Sequence, residues 1–240
     1  MFPHVRLRRL RRRKIIPLLT ETHLCSDDLI APLFFDEQAD EPVPILAMPG
    51  QYRWPVRMAG DVGTRLRDTG IRAVLLFGIP SVKDADASGA HAPDGIIQQV
   101  VRAMKTACPD MVIITDLCAC EYTDHGHCGY IGECCDGFDL VNDASLEMMQ
   151  RIAVSQAEAG ADIVAPSCML DGMVSAIREA LDDYGHQEVL IMSYSSKFAS
   201  SLYGPFREAA GSGFSCGDRT GYQAPVSNRR EAYRESELDA

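Results

Sequence analysis

Five short apolar runs, each followed by a stretch that reads as helix, set the tightest limit on how this chain can fold. The runs are Leu29–Phe35, Ala73–Gly78, Met111–Asp116, Ala161–Ala165 and Glu188–Ser193. They are rich in branched residues and show little alternation, the pattern of strands buried on both faces of a parallel sheet. Asn142-Asp143-Ala144-Ser145 offers a cap for a helix running on through Glu147 to Glu158, and Gly160 can close it. Repeated βα units result. A (β/α)₈ barrel takes roughly 250 residues, and here five units and an N-terminal arm already occupy all 240. The chain therefore reads as a TIM-barrel α/β protein with about five of the eight units present. An open doubly wound sheet is the alternative, although no Gly-x-Gly-x-x-Gly turn follows the first run. The polar residues favour the barrel, because chemistry there gathers at the C-terminal ends of the strands. Asp116, Cys118 and Cys120 follow the third run, Ser167 and Cys168 the fourth, and Ser195, Ser196 and Lys197 the fifth.

A formal charge of −11 argues against a protein that works by coating nucleic acid. No stretch approaches the ~18 uninterrupted apolar residues of a membrane span. Residues 1–24 form a basic arm in which Leu7, Leu10, Ile15, Leu18 and Leu19 interleave the arginines. It lacks the apolar run and cleavage site of a secretory signal, and it reads as an arm for subunit contacts. Residues 25–240 form the incomplete barrel domain. Nine cysteines, clustered rather than spread between loops, fit a reducing, cytoplasmic setting better than a disulfide scaffold.

Asp116-Leu117-Cys118-Ala119-Cys120-Glu121-Tyr122-Thr123-Asp124-His125-Gly126-His127-Cys128 places three cysteines and two histidines within thirteen residues. Thiolates are soft ligands that suit zinc, and three protein sulfurs leave the fourth tetrahedral position open for catalysis. The ordinary fate of a free cysteine is burial as a small hydrophobe, but three beside a Gly-His-Cys-Gly turn point to metal. His125 and His127 are either ligands or hydrogen-bonding partners of ligands. Cys25, Cys108, Cys134, Cys135 and Cys216 read as packing or surface thiols. Among only four lysines, Lys14, Lys83, Lys105 and Lys197, the last alone ends a strand-like run. Most lysines are simply exposed. At a barrel mouth, desolvation would lower the pKa of Lys197 and leave an amine able to attack a ketone.

The thirteen-residue stretch resembles the metal loop of the zinc-type porphobilinogen synthase family, also called 5-aminolevulinate dehydratase. The similarity extends through Arg8-Arg9-Leu10-Arg11, Met48-Pro49-Gly50-Gln51-Tyr52-Arg53, Leu75-Leu76-Phe77-Gly78-Ile79-Pro80, Asn142-Asp143 and Ala157-Glu158-Ala159-Gly160-Ala161-Asp162, and on to Gln223. The resemblance implies a TIM barrel, an arm embracing a neighbouring subunit and a homo-octamer. It also implies an enzyme of heme and tetrapyrrole biosynthesis that condenses two 5-aminolevulinate molecules to porphobilinogen. Cys118, Cys120 and Cys128 match the zinc ligands, Asp116 an active-site carboxylate and Lys197 a Schiff-base lysine. Residues 198–224 match a lid, whose Arg207, Arg219 and Gln223 match carboxylate-binding positions; Ser167 is assigned to substrate binding. A separate magnesium site is also compatible with the family, and no motif here locates it.

Two departures stand out. Ala165-Pro166-Ser167-Cys168-Met169-Leu170-Asp171-Gly172-Met173 carries Cys168 and Met173 where the family usually has aspartate and arginine, so proton handling beside Lys197 is altered unless Asp171 substitutes. No lysine follows Lys197, whereas the family carries a second Schiff-base lysine in a Val-Lys-Pro motif on the next strand. The chain thus reads as C-terminally truncated, with little pyrrole formation expected of residues 1–240 alone. Competing readings are a class I aldolase-like enzyme, a structural zinc module with a nucleic-acid-binding arm, and a non-catalytic paralogue or fragment that keeps its zinc.

Overall fold

The structure, a computed structural model, describes residues 4–134, 137–215 and 217–240. Its main sheet contains β1 (Ile30–Asp36), the short β2 (Val43–Pro44) and β3 (Tyr52–Pro55), then β4 (Ala73–Ile79), β5 (Val112–Leu117), β8 (Ile163–Pro166) and β9 (Leu190–Ile191). A separate hairpin pairs β6 (Ile131–Cys134) with β7 (Gly137–Leu140). The helices are α1 (Ala59–Asp68), α2 (Ser88–His91), α3 (Ile96–Ala107), α4 (Asn142–Ala159), α5 (Met173–Asp183), α6 (Gly204–Ala210) and α7 (Arg229–Asp239).

All five apolar runs are strands of one sheet, in the order β2-β3-β1-β4-β5-β8-β9. From β1 to β9 every neighbouring pair is parallel and the spatial order follows the chain order. A doubly wound sheet must reverse its order at a switch point; apart from the short β3, which lies on the other side of β1, the strands β1, β4, β5, β8 and β9 advance in one direction, so the winding is that of a TIM barrel. The fifth run is shorter than its sequence suggests. Only Leu190 and Ile191 pair formally with Ile163 and Val164, although Met192 and Tyr194 still donate to the carbonyls of Val164 and Pro166. The β2–β3 and β6–β7 segments carry no long apolar run and were not foreseen.

Alternation along the strands divides the core in two. Leu33, Phe35, Val74, Leu76, Ile113 and Val164 pack outward with Val100, Val101 and Met104 of α3 and Met148, Met149 and Ile152 of α4. Phe34, Phe77 and Ile79 face the other way and meet Ala209 and Ala210 of α6. There Phe34 stacks on Phe77 at 5.1 Å, and Phe206 meets Phe77 edge-on at 5.1 Å.

Helix α4 begins differently from its sequence signature. Val141 is the N-cap and makes no side-chain cap. Asn142 instead spends its amide on the loop after β8, accepting from the Asp171 N–H at 2.9 Å and donating to its carbonyl at 3.2 Å. The C-terminus follows expectation: Gly160 adopts φ 105°, where a side chain would be strained. The arm from residue 4 to 24 contains two short 3₁₀ turns and no buried residue. No helix among the described residues is long and apolar enough to cross a membrane. Cys135 and Cys216 lie outside the described residues.

Leu76 is fully buried, whereas Leu202 is 87% exposed. In urea unfolding, Leu76→Ala should lower stability by about 2–5 kcal/mol, and Leu202→Ala by no more than about 0.5 kcal/mol. Equal losses would contradict the assignment of the core.

Candidate active site

The ends of β5 and β8 build the site. These strands pair in register, Asp116 opposite Ala165 and Leu117 opposite Pro166, and the Ser167 N–H continues the ladder to the Leu117 carbonyl at 3.1 Å. The residues just past each strand are thereby brought together, Cys118 and Cys120 from one side and Ser167 and Cys168 from the other. Helix α4 braces this edge: Gln156 donates to the Asp116 carbonyl at 2.9 Å and accepts from the Thr115 hydroxyl at 2.8 Å.

The sulfurs of Cys118, Cys120 and Cys128 lie within 4.8 Å of one another, all buried. Cys118 and Cys120 are 3.2 Å apart, and the Cys120 N–H donates to the Cys118 sulfur at 3.4 Å. Hydrogen bonds from Cys118, Cys120 and Cys168 hold the Cys128 pKa well below the ordinary thiol value, so Cys128 carries the cluster's first negative charge. Hydrogen bonding within the cluster pushes Cys118 well up, with burial adding to it. Among the described residues, neither histidine groups with the three sulfurs as a possible ligand. The His125 Nδ1 accepts from the His127 N–H at 3.1 Å, and the His127 Nδ1 pairs with the Tyr222 hydroxyl at 3.1 Å. Of the remaining described thiols, Cys25 is exposed and Cys108 is buried.

Lys197 is 7% exposed, with Nζ donating to the Ser167 carbonyl at 2.8 Å and lying 5.7 and 5.5 Å from the ring centres of Tyr194 and Tyr203. Its pKa corrects the sequence-based expectation. Burial does lower it, but the negative charge of the sulfur cluster, Cys128 foremost, outweighs burial and raises the ammonium above its usual value. Asp116 is pushed well up by burial and by the Glu121 charge, despite the opposing effects of Lys197 and the Ser167 hydroxyl. Asp171 does not stand in for the family's aspartate: it is exposed, with its backbone tied to Asn142. Met173 is simply core.

Residues 198–215 and 217–224 pack against the cysteine loop. Ser215 donates its N–H to the His125 carbonyl at 3.0 Å, and Arg219 Nη2 donates to the carbonyls of Gly126 and Ser212 at 2.9 and 2.8 Å. Both lid guanidiniums face the Phe214 ring, Arg207 at 5.2 Å and Arg219 at 5.9 Å from its centre. Gln223 is buried. Among the described residues, Asp116 Oδ1, Glu121 Oε1, Arg207 Nε, Arg219 Nε and Gln223 Oε1 are buried without a hydrogen-bond partner in the protein. Such atoms are costly unless a ligand satisfies them, and these five, together with Ser212 Oγ, gather on the end of β5, the cysteine loop and the segment that carries Arg207 and Gln223.

The sequence reading assigned no role to Glu121, 2% exposed between Cys120 and Tyr122, whose carboxylate accepts from the Cys120 thiol at 3.3 Å. An acid inside so apolar a stretch was the available signal. Phe214 and Tyr222 had no comparable signal, because aromatic residues on a Gly/Ser-rich loop specify no partner. A surface groove of about 620 Å³ beside α4 and α5 is lined by none of the candidate residues.

The family description for delta-aminolevulinic acid dehydratase matches residues 4–240. The delta-aminolevulinic acid dehydratase of Archaeoglobus fulgidus is 51% identical over 238 residues, 99% of this chain and 73% of that relative. The enzyme of the same name from Synechocystis is 48% identical over 240 residues, 100% of this chain and 73% of its own length. A Toxoplasma gondii ME49 porphobilinogen synthase, solved with its product porphobilinogen, superposes with a TM-score of 0.93 at 37% identity, covering 99% of this chain and 68% of that one.

Gly126 sits at the contact between loop and lid with φ +75°, and a Cβ there would lie 2.3 Å from the Gly213 carbonyl oxygen. Gly126→Ala should therefore displace the lid at a cost of about 1–3 kcal/mol. Hydrogen exchange will read this as lost protection of the Ser215 amide while the core strands stay protected. An unchanged Ser215 amide would show that this contact does not hold the lid.

Proposed function

The chain belongs to the delta-aminolevulinic acid dehydratase family, and from that premise we propose how its residues divide the work of condensing two 5-aminolevulinate molecules into porphobilinogen with loss of two waters. It is a lyase of tetrapyrrole biosynthesis. The observation that carries the division of labour is a buried lysine held beside a buried three-thiol cluster under one lid.

Lys197 is the Schiff-base nucleophile. Its amine adds to the substrate ketone, and loss of the carbonyl oxygen as water leaves a carbon–nitrogen double bond. The Ser167 carbonyl and the rings of Tyr194 and Tyr203 hold Nζ in one place, which supports attack from a fixed direction. Asp116, kept in its neutral form by burial and by Glu121, is suited to hand a proton to a departing oxygen and to recover it. Arg207 and Arg219 each carry a buried Nε–H without a protein partner, a pair of donors that fits a substrate carboxylate, and Gln223 can offer the same anion its side-chain NH2. Ser167 completes the wall beside Lys197, and the lid excludes water from the imine.

Cys118, Cys120 and Cys128 are the residues that would hold zinc; soft, buried and mutually close, they fit a tetrahedral ion better than a hard one. When bound, zinc supplies Lewis-acid polarisation of the second substrate and offsets the thiolate charge that holds Lys197 protonated. We place the protein in a reducing cytoplasm, where these thiols stay available. The arm of residues 1–24, with Leu7 at 62% and Leu18 at 80% exposure, is suited to cover a neighbouring subunit in a homo-octamer.

Borohydride trapping with 5-aminolevulinate should mark Lys197, because Lys83 is committed to the Gly211 carbonyl at 2.6 Å, Lys105 is paired with Asp162 at 2.6 Å, and Lys14 lies on the arm. A label on Lys14, Lys83 or Lys105 instead would refute the assignment. Elemental analysis should find one zinc per chain, lost when Cys118, Cys120 and Cys128 are all changed to alanine; unchanged zinc content would place the metal elsewhere.

A further inference from the structure

Cys168 stands where the family resemblance leads one to expect an aspartate, and the fold brings its thiol against Cys118 at the edge of the three-sulfur group. Its side chain is 2% exposed, and its sulfur lies 3.4 Å from that of Cys118. It donates to the Cys128 carbonyl at 3.3 Å and lies 3.7 Å from the Met149 sulfur. Four thiolates around a tetrahedral zinc at ~2.3 Å stand ~3.8 Å from one another. The Cys118–Cys120 separation of 3.2 Å and the Cys118–Cys168 separation of 3.4 Å are both near that edge. Cys168 thus stands to Cys118 much as Cys120 does, although it arrives from a different strand.

Resting on the reading that Cys118, Cys120 and Cys128 hold zinc, we propose that Cys168 is a fourth sulfur ligand of that metal in the substrate-free protein. The resting site is then a closed set of four cysteines, and substrate reaches the metal by displacing Cys168. The geometry identifies which sulfur leaves. Cys118 accepts a backbone N–H from Cys120 and belongs, with Cys120 and Cys128, to a single loop. Cys168 comes from the loop after β8, and its sulfur meets the carbonyls of Leu117 and Cys128, the Met149 thioether and the Cys118 thiol, with no backbone N–H among the described residues donating to it as the Cys120 N–H does to Cys118. It is the ligand with least support other than the metal itself. Four sulfurs also favour a soft tetrahedral ion over magnesium more strongly than three do.

X-ray absorption at the zinc edge tests this on the zinc-loaded chain. Four sulfurs at about 2.3 Å are expected without substrate, three sulfurs and one lighter atom in Cys168→Ser, and three with 5-aminolevulinate bound to the unsubstituted chain. Zinc affinity should fall about tenfold or more in Cys168→Ser, a scale that even outer partners of metal ligands reach. Cys168→Asp gives the same readout should the serine variant fail to fold. Three sulfurs in the substrate-free chain, four persisting in either variant, or four retained with 5-aminolevulinate bound would each overturn the proposal while leaving the three-cysteine site intact. A chain that binds no zinc would overturn both.

Discussion

The parallel pairing of β5 with β8 is the interaction on which the rest of the site depends. Because the ladder runs through Thr115, Asp116 and Leu117 against Val164, Ala165 and Pro166, the first residues beyond each strand have no choice but to meet. A one-residue slip would turn Asp116 from the barrel interior toward α4 and bring the buried Thr115 inward. The Gln156 side chain guards against that slip by bridging the Thr115 hydroxyl and the Asp116 carbonyl. At the opposite end of the strand, Asp162 accepts from the Ile113 N–H at 2.7 Å and from Lys105 at 2.6 Å, tying β5, β8 and α3 together.

What this register assembles is a compact set of buried ionisable groups that control one another. Burial alone would make Lys197 a neutral amine and Asp116 a neutral acid. The thiolate cluster reverses the first effect and the Glu121 charge reinforces the second. The protonation of Lys197 is therefore tied to whatever balances the sulfurs. That coupling links the three-cysteine loop to Lys197 although no hydrogen bond among the described residues joins them directly.

Among the described residues, the segment carrying Arg207, Arg219 and Gln223 is held by backbone carbonyls and one aromatic ring rather than by ion pairs. Arg219 reaches the carbonyls of Gly126 and Ser212, and the guanidiniums of Arg207 and Arg219 both lie over the Phe214 ring. Both arginines are consequently oriented without their charge being consumed by a carboxylate partner, and they retain a preference for an anionic ligand. From the other side, α6 is anchored by Arg53, which donates to the Ala209 carbonyl at 2.9 Å, and by Phe206 against Phe77.

Much of this was legible in the sequence. The five strands, their parallel sense, helix α4 with its Gly160 terminus, and the three-cysteine loop all follow from local pattern, because apolar periodicity, glycine conformation and ligand spacing act over a few residues. The resemblance of the metal loop and lid to a known family is also a property of residues in chain order. Strand order had to come from the fold, since βα repeats suit a barrel and a doubly wound sheet equally until the neighbours of β1 are known. The tertiary structure likewise decided the direction of the Lys197 pKa, because burial and charge oppose each other there and only distances show which prevails. It took Asn142 from capping α4 to holding the Asp171 loop, and it left Asp171 in solvent. Above all, it converted Cys168 from an isolated substitution fifty residues beyond Cys118 into its neighbour at 3.4 Å. No local pattern encodes that contact; it exists because β5 and β8 lie side by side.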